Sequence, residues 1–203
     1  MDLMAEFPDK YFKLAICDPP YFEEYGKANF TKGVSSKGIT ERHKKSKYWD
    51  IPDQNYFNEL VRVSKNQIIW GINYFNFKGA QGGCIVWDKK ADGVPFSEGE
   101  IAYTSAHKKV VFYRQLWMGA FSEGGKRTGI HPCEKPVRLY RWLLENYAQA
   151  GDKILDTHLG SMSIAIACHY LGFDLTGSEL DKDYYEAGIK RVREETKQID
   201  MFG

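Results

Sequence analysis

Two carboxylates and the residues around them are the parts of this 203-residue chain best suited to chemistry. The first is Asp18, in Asp18-Pro19-Pro20-Tyr21, directly after the apolar run Phe12-Lys13-Leu14-Ala15-Ile16-Cys17. That run reads as a buried strand. Two prolines cannot continue it, because neither has an N–H for the ladder and each fixes its own φ. The chain must leave the sheet at Asp18 in a stiff, extended turn. The turn presents a carboxylate, the Pro19 carbonyl and the Tyr21 ring at the carboxyl end of a strand, the edge where open α/β sheets bind ligands. Acceptors beside a ring suit a flat molecule carrying an amino group, such as a nucleobase. The second is Asp156, in Ile154-Leu155-Asp156-Thr157-His158-Leu159-Gly160-Ser161-Met162-Ser163, which runs from a strand through a tight turn into a helix. About 20 residues on, Gly177-Ser178-Glu179 puts an acidic residue at the end of the next strand, the spacing of a nucleoside-cofactor site. Gly-x-Gly-x-x-Gly is absent, and an ordinary strand–turn–helix unit in which Gly160 merely permits the turn explains the segment equally well.

Periodicity supplies the elements that must hold these groups. The pattern predicts strands over 12–17, 67–70, 84–87, 101–104 and 109–113, with a short amphipathic helix over 55–63. From residue 137 onward it alternates: helix 137–147, strand 153–156, helix 161–171, strand 173–178, helix 182–197. Such alternation means a parallel sheet with right-handed crossovers, an α/β fold. Trp142 and Tyr147 are spaced as one helix face and read as core.

Hydrophobic content of 43% describes a globular chain long enough for one well-buried domain, taken here as residues 1–203. No apolar run reaches the ~18 residues that span a bilayer, and the N-terminus has no signal-peptide pattern, so no membrane partner is expected. Cys17, Cys84, Cys133 and Cys168 are scattered and read as reduced packing residues of a cytoplasmic protein. None has zinc-ligand spacing, so no metal site is expected. Net charge is only +1, but residues 26–48 hold seven basic side chains, Lys44, Lys45 and Lys47 among them, against Glu41 alone. With glycine, serine and threonine interspersed, 23–49 reads as a mobile basic arm that gathers phosphates.

The order of these motifs resembles the amino-group DNA methyltransferases that use S-adenosylmethionine, in the circular order with the catalytic motif first, as in small phage-type members. Asp18-Pro19-Pro20-Tyr21 matches the catalytic motif. Ile69-Trp70-Gly71-Ile72-Asn73-Tyr74-Phe75, Trp87-Asp88-Lys89 and Phe96-Ser97-Glu98-Gly99-Glu100 resemble further segments. His131-Pro132-Cys133-Glu134-Lys135-Pro136 matches the pattern before the cofactor strand, residues 156–163 the cofactor loop, and Glu179 with Tyr184 the ribose-binding strand and helix. The resemblance implies a three-layer, Rossmann-like methyltransferase sheet, mostly parallel with an antiparallel edge strand. It assigns the cofactor to Asp156, His158, Gly160, Ser161, Ser163 and Glu179, and gives His131 and Lys135 its carboxylate. Thr157 and His158 replace the usual proline and phenylalanine, and Met162 stands where a second glycine is common. The chain also begins just inside the place where such enzymes carry another strand, so the sheet is expected to lack it or the start used here to be internal.

Direct methyl transfer to an exocyclic amino nitrogen follows from the resemblance. Positive charge builds on the attacking nitrogen, and an ionised Asp18 with the Pro19 carbonyl would accept its N–H bonds while Tyr21 stacks on the base. The base would be flipped out or taken from a single strand. Aspartate at the motif's first position leans toward N6 of adenine; N4 of cytosine, and a catalytically silent nucleic-acid-binding module, are the alternatives. An RNA or protein-amide methyltransferase is disfavoured because protein-amide enzymes carry asparagine there. Target contacts fall to Asn73, the basic arm and a short recognition loop at 113–130, where Lys126 and Arg127 would meet phosphates. So small a reader implies a short site, loose specificity or help from a homodimer. Gln198-Ile199-Asp200-Met201-Phe202, in the tail 198–203, resembles a sliding-clamp peptide; apolar residues folding back onto the domain explain it as well.

Overall fold

The computed structural model describes residues 2–21, 49–78, 81–93, 97–117, 122–123 and 128–197. The basic arm with Lys44, Lys45 and Lys47, the recognition-loop residues Lys126 and Arg127, and the tail 198–203 lie outside them.

The run before Asp18 forms β1 (Phe12–Cys17), ended by the two prolines as its sequence requires. A short helix α1 (Asp2–Ala5), which periodicity does not reveal, precedes it. Helix α2 (Gln54–Val63) starts where the Asp53 side chain accepts the Tyr56 N–H at 3.0 Å and runs directly into β2 (Ser64–Trp70). Then come β3 (Gly83–Asp88), β4 (Gly99–Thr104) and β5 (Val110–Arg114). Helix α3 (Val137–Tyr147) follows Pro136, whose missing N–H suits a helix entry. The chain ends in β6 (Lys153–Asp156), α4 (Ser163–Leu171), β7 (Asp174–Gly177) and α5 (Lys182–Thr196).

The strands make one seven-stranded sheet in the order β5-β3-β4-β2-β1-β6-β7. β1 is parallel to β2 on one side and to β6 on the other, with Ala15 opposite both Gln67 and Leu155. β7 continues the parallel array beyond β6 and ends the sheet on that side. The sheet is mostly parallel as expected, but its antiparallel member is not at the edge. β4 pairs antiparallel with both β2 and β3, and β5, parallel to β3, takes the edge. Residues 89–98 are too short to carry a crossover, so β4 must return beside β3.

Alternation along β1 builds a core on each face. Leu14 and Ile16 join Leu139, Leu143 and Leu144 of α3 and Ile164 and Ala167 of α4. Ala15 and Cys17 join Tyr56, Phe57, Leu60 and Val63 of α2 on the other side. Each such fully buried aliphatic side chain contributes about 1.5–3 kcal/mol. Three layers result, and their product for function is β1 and β6 held side by side, so that Asp18 and Asp156 leave the sheet at the same edge.

Candidate active site

Asp18 is tied on both oxygens. The Tyr21 hydroxyl donates to Oδ1 and the Lys135 ammonium to Oδ2. The Tyr21 ring lies flat over Gly71, the residue after β2, where a Cβ would come within 2.0 Å of the ring. Only glycine fits there, and its φ of +68° suits glycine as well. The ring's other neighbour is Tyr74, stacked with centroids 4.9 Å apart and planes 14° from parallel. Asn73 sits exposed on the same 3-10 turn (Ile72–Tyr74). Tyr21 thus orients Asp18 and stacks on a tyrosine; the expected base-stacking face is taken up within the protein.

Lys135 is not where the resemblance put it. Its ammonium is buried between Asp18 and Glu100 of β4, at 2.9 Å from Glu100 Oε2, rather than beside the 156–163 loop. A buried cation needs carboxylates, and these two are the ones within reach. Lys89, just after β3, binds the other Glu100 oxygen at 2.6 Å. Both ammonium groups also face indoles, Lys135 over Trp70 and Lys89 over Trp87. Burial would raise the Glu100 carboxyl, but the two lysines overcome it and hold it down to about 2. Asp18 is pushed above the ordinary aspartate value by burial, against the pull of Lys135 and with the Glu100 charge adding to the rise. Glu100 enjoys two cations and Asp18 shares one, which explains the opposite directions.

The 156–163 loop leaves β6 beside this cluster. Asp156 Oδ1 accepts the His158 N–H at 2.9 Å, whereas Oδ2 is buried with no hydrogen-bond partner. Burial pushes this carboxyl up to about 8, against the His158 N–H and with the charges of Asp18 and Glu179 adding to the rise. Gly160 donates its N–H to Glu179 at 2.8 Å, so the acidic end of β7 holds the loop's tip. His131 lays its ring against Gly160 and edge-on to Tyr184, with centroids 4.7 Å apart, which places it with the loop as expected. His158 bonds Thr157 Oγ1 through Nδ1 at 2.9 Å and packs edge-on to Tyr56, whose hydroxyl meets the same Thr157 oxygen at 2.7 Å. Burial pulls its pKa down to about 4, so the ring is neutral and structural.

Ser161 and Ser163 turn away from the loop's open side. Arg191 of α5 donates to the Ser161 carbonyl at 3.0 Å and to Ser163 Oγ at 2.9 Å. Met162 keeps the left-handed conformation a glycine would have there (φ +59°). Its side chain is buried against Gly188 of α5, where a Cβ would come 2.7 Å from Met162 Cγ. A notch in the helix thus accepts the side chain that replaces the usual glycine, and the loop keeps its course. Glu100, Lys89, Arg191 and Gly188 escape sequence reasoning. Only Lys89 and Glu100 fall in segments with any motif signal, and neither signal names a partner.

A mostly parallel sheet with helices on both faces, and acidic loops leaving adjacent strands at one edge, is the architecture of Rossmann-like methyltransferases. The family model for N6/N4 DNA methylases matches residues 87–190, which include Glu100, Lys135 and the 156–163 loop, and the chain belongs to that family. YubD of Escherichia coli (strain K12), named as a methylase, is 24% identical over 211 aligned residues, covering 94% of this chain and 86% of its own. Among solved structures, the DNA modification methylase TTHA0409 of Thermus thermophilus, complexed with S-adenosyl-L-methionine, superposes with a TM-score of 0.58 at 17% identity over 96% of this chain and 90% of that one. The cytosine-N4-specific PvuII DNA methyltransferase gives a TM-score of 0.54 at 10% identity, over 97% and 88%. At these identities the superpositions speak for the fold.

Proposed function

We propose that the chain transfers a methyl group from S-adenosylmethionine to the exocyclic N6 of adenine in DNA. The observation that carries this reading is the placement of Asp18 and Asp156 at the ends of neighbouring parallel strands, about one strand spacing (~4.8 Å) apart in the sheet. An acceptor for an amino group and a nucleoside-type loop then face the same space.

The loop fits the cofactor. The orphaned Asp156 oxygen is a buried acceptor suited to an ammonium. Each carboxylate oxygen accepts more than one bond, so Glu179 can take ribose hydroxyls in addition to the N–H groups of Gly160 and Asp181. His131, lying on Gly160, bounds the loop on the side of α5. Bound there, S-adenosylmethionine supplies a methyl carbon on a sulfonium, a leaving group that departs without help from an acid. The protein's own work is at the acceptor. Asp18 and the Pro19 carbonyl take the N–H bonds of the target nitrogen as its lone pair is withdrawn from the ring and positive charge develops, which favours the transition state over the ground state. Tyr21 and Gly71 fix the carboxylate's direction, so orientation is set before the base arrives.

N4 of cytosine is the second reading, since the same acceptors would serve any exocyclic amino group and PvuII methyltransferase shares the fold. DNA is the partner in either case, with the basic arm, Asn73, Lys126 and Arg127 as its contacts. A clamp contact through Gln198 to Phe202 and pairing of two copies belong to the same proposal. Transfer of labelled methyl to DNA, followed by digestion to nucleosides, decides between the bases. N6-methyladenine from the wild type and none from Asp18→Ala is the expected result; N4-methylcytosine would replace the first reading by the second.

A further inference from the structure

Lys89, Glu100, Lys135 and Asp18 form an unbroken row of alternating charge from the end of β3, across β4, to the end of β1. Lys89 meets Glu100 Oε1 at 2.6 Å, Lys135 lies 2.9 Å from Oε2, and Lys135 also donates to Asp18. The side chains are 12%, 23%, 3% and 14% exposed in that order, so the row is set into the protein and screened little by salt. The Lys135 approach to Glu100 is an ion pair off the line of a hydrogen bond, because Oε2 has no aligned donor. Its approach to Asp18 is an aligned hydrogen bond.

This arrangement poses a conflict at Asp18. The oxygen that holds Lys135 is one that an incoming amino group needs, and the nitrogen of that group turns positive during transfer. An ammonium belonging to Asp18 alone would oppose the developing charge, and it could not withdraw without being stranded in a buried place. Glu100 gives it a second seat already within contact. We propose that Glu100 is a positioning residue that holds Lys135 between two carboxylates, so that Asp18 can release the ammonium and take up the target amino group in its place. Lys89 keeps Glu100 charged and in place when Lys135 leans toward Asp18. Other titratable groups facing the pair are Tyr21 on its own turn, Cys133 before α3, Tyr140 on α3 and Asp156 on β6.

The proposal rests on the reading of Asp18 as the group that meets the target nitrogen, and its test has one arm that needs no turnover. The carboxyl titration of Asp18 is followed by carbon NMR on the full chain, with the signal assigned through Asp18→Asn. In Glu100→Gln, Lys135 belongs to Asp18 alone, so the Asp18 titration moves to lower pH. Glu100→Asp keeps the charge and restores the wild-type position in part. Lys89→Met leaves Glu100 less neutralised and moves the Asp18 titration to higher pH. In the methyl-transfer arm, Glu100→Gln lowers kcat on the order of 10- to 100-fold with cofactor Kd unchanged, and its acid limb shifts in the direction of the NMR titration. A loss of folding would not shift that limb. An Asp18 titration that stays put in Glu100→Gln, or an unchanged kcat, overturns the proposal. Should Glu100→Gln not fold, an unmoved titration in Lys89→Met overturns it equally. A wild type that transfers no methyl group to DNA defeats the functional reading instead, while the titration still judges the coupling.

Discussion

Replacing Asp156 by asparagine should make the protein more stable above neutral pH and less able to bind its cofactor. The magnitude follows from the environment of one oxygen. Asp156 is fully buried, its Oδ2 has no partner, and its carboxyl stands at about 8 against 3.8 for an ordinary aspartate. The folded state therefore holds a proton that the unfolded chain gives up near pH 4. Stability from this group is fully present below that value and falls by about 1.4 kcal/mol per pH unit until the folded-state value is passed. The whole cost of ionising Asp156 in place is on the order of 5 kcal/mol. The substituted asparagine would keep the oxygen that accepts the His158 N–H but bury an unsatisfied amide, at about 1–3 kcal/mol. Above pH 8 the variant should win by a few kcal/mol. Urea unfolding of both proteins at pH 6 and pH 9 isolates the effect, because every other titrating group cancels in the difference. That difference should change by about 3 kcal/mol in favour of the variant, or roughly 6–12 °C in Tm for a chain of this size. A difference that does not vary with pH would refute the reasoning, because it would mean that Asp156 is ionised in the folded protein at pH 6.

The same carboxyl links cofactor binding to protons: pairing with an ammonium ionises it, so Kd for S-adenosylmethionine should tighten about tenfold from pH 6 to pH 7, with proton release seen by calorimetry in buffers of different ionisation enthalpy. Met162→Gly and Met162→Ala both lose the contact with Gly188 and should each destabilise by about 2–5 kcal/mol. The glycine variant should be the better of the two by about 1 kcal/mol, because alanine retains the left-handed strain; equal denaturant midpoints would contradict that. Gly71→Ala puts a Cβ into the Tyr21 ring at a left-handed position. Methyl transfer should fall on the order of tenfold or more as Asp18 loses its orienting phenol, and full activity in this variant would remove Tyr21 from that role.

What the sequence revealed and what it hid divide along a physical line. β1 and α3 were legible to the residue, because prolines end the one and begin the other and the apolar periods between are strong. The Asp18 turn and the 156–163 loop were legible for the same reason: each is a local stretch whose backbone has few options. The position of β4 was not, since pairing order depends on partners far away and on the length of the 89–98 connection. Lys135 was read as a cofactor contact from motif likeness, yet its neighbours are fixed by β1 and β4, which no motif around Lys135 describes. Glu100 sits in Gly99-Glu100-Ile101-Ala102, where a strand carboxylate looks like one facing water. Met162 stood out as a departure, but the notch at Gly188 that accommodates it lies on another helix and leaves no mark near the loop.

The adjacency of β1 and β6 carries a cost during synthesis. β2 follows β1 closely and can pair with it as soon as both have left the ribosome, but β6 emerges some 80 residues after β2, on the order of ten seconds later. Until then the far edge of β1, with Leu14 and Ala15, is an open strand edge in an apolar stretch, the kind of surface that recruits other chains. The enzyme cannot act on DNA as a nascent chain, and its yield in the cell should depend on chaperones that cover this edge, so that expression at lower temperature or with added chaperone raises the soluble fraction.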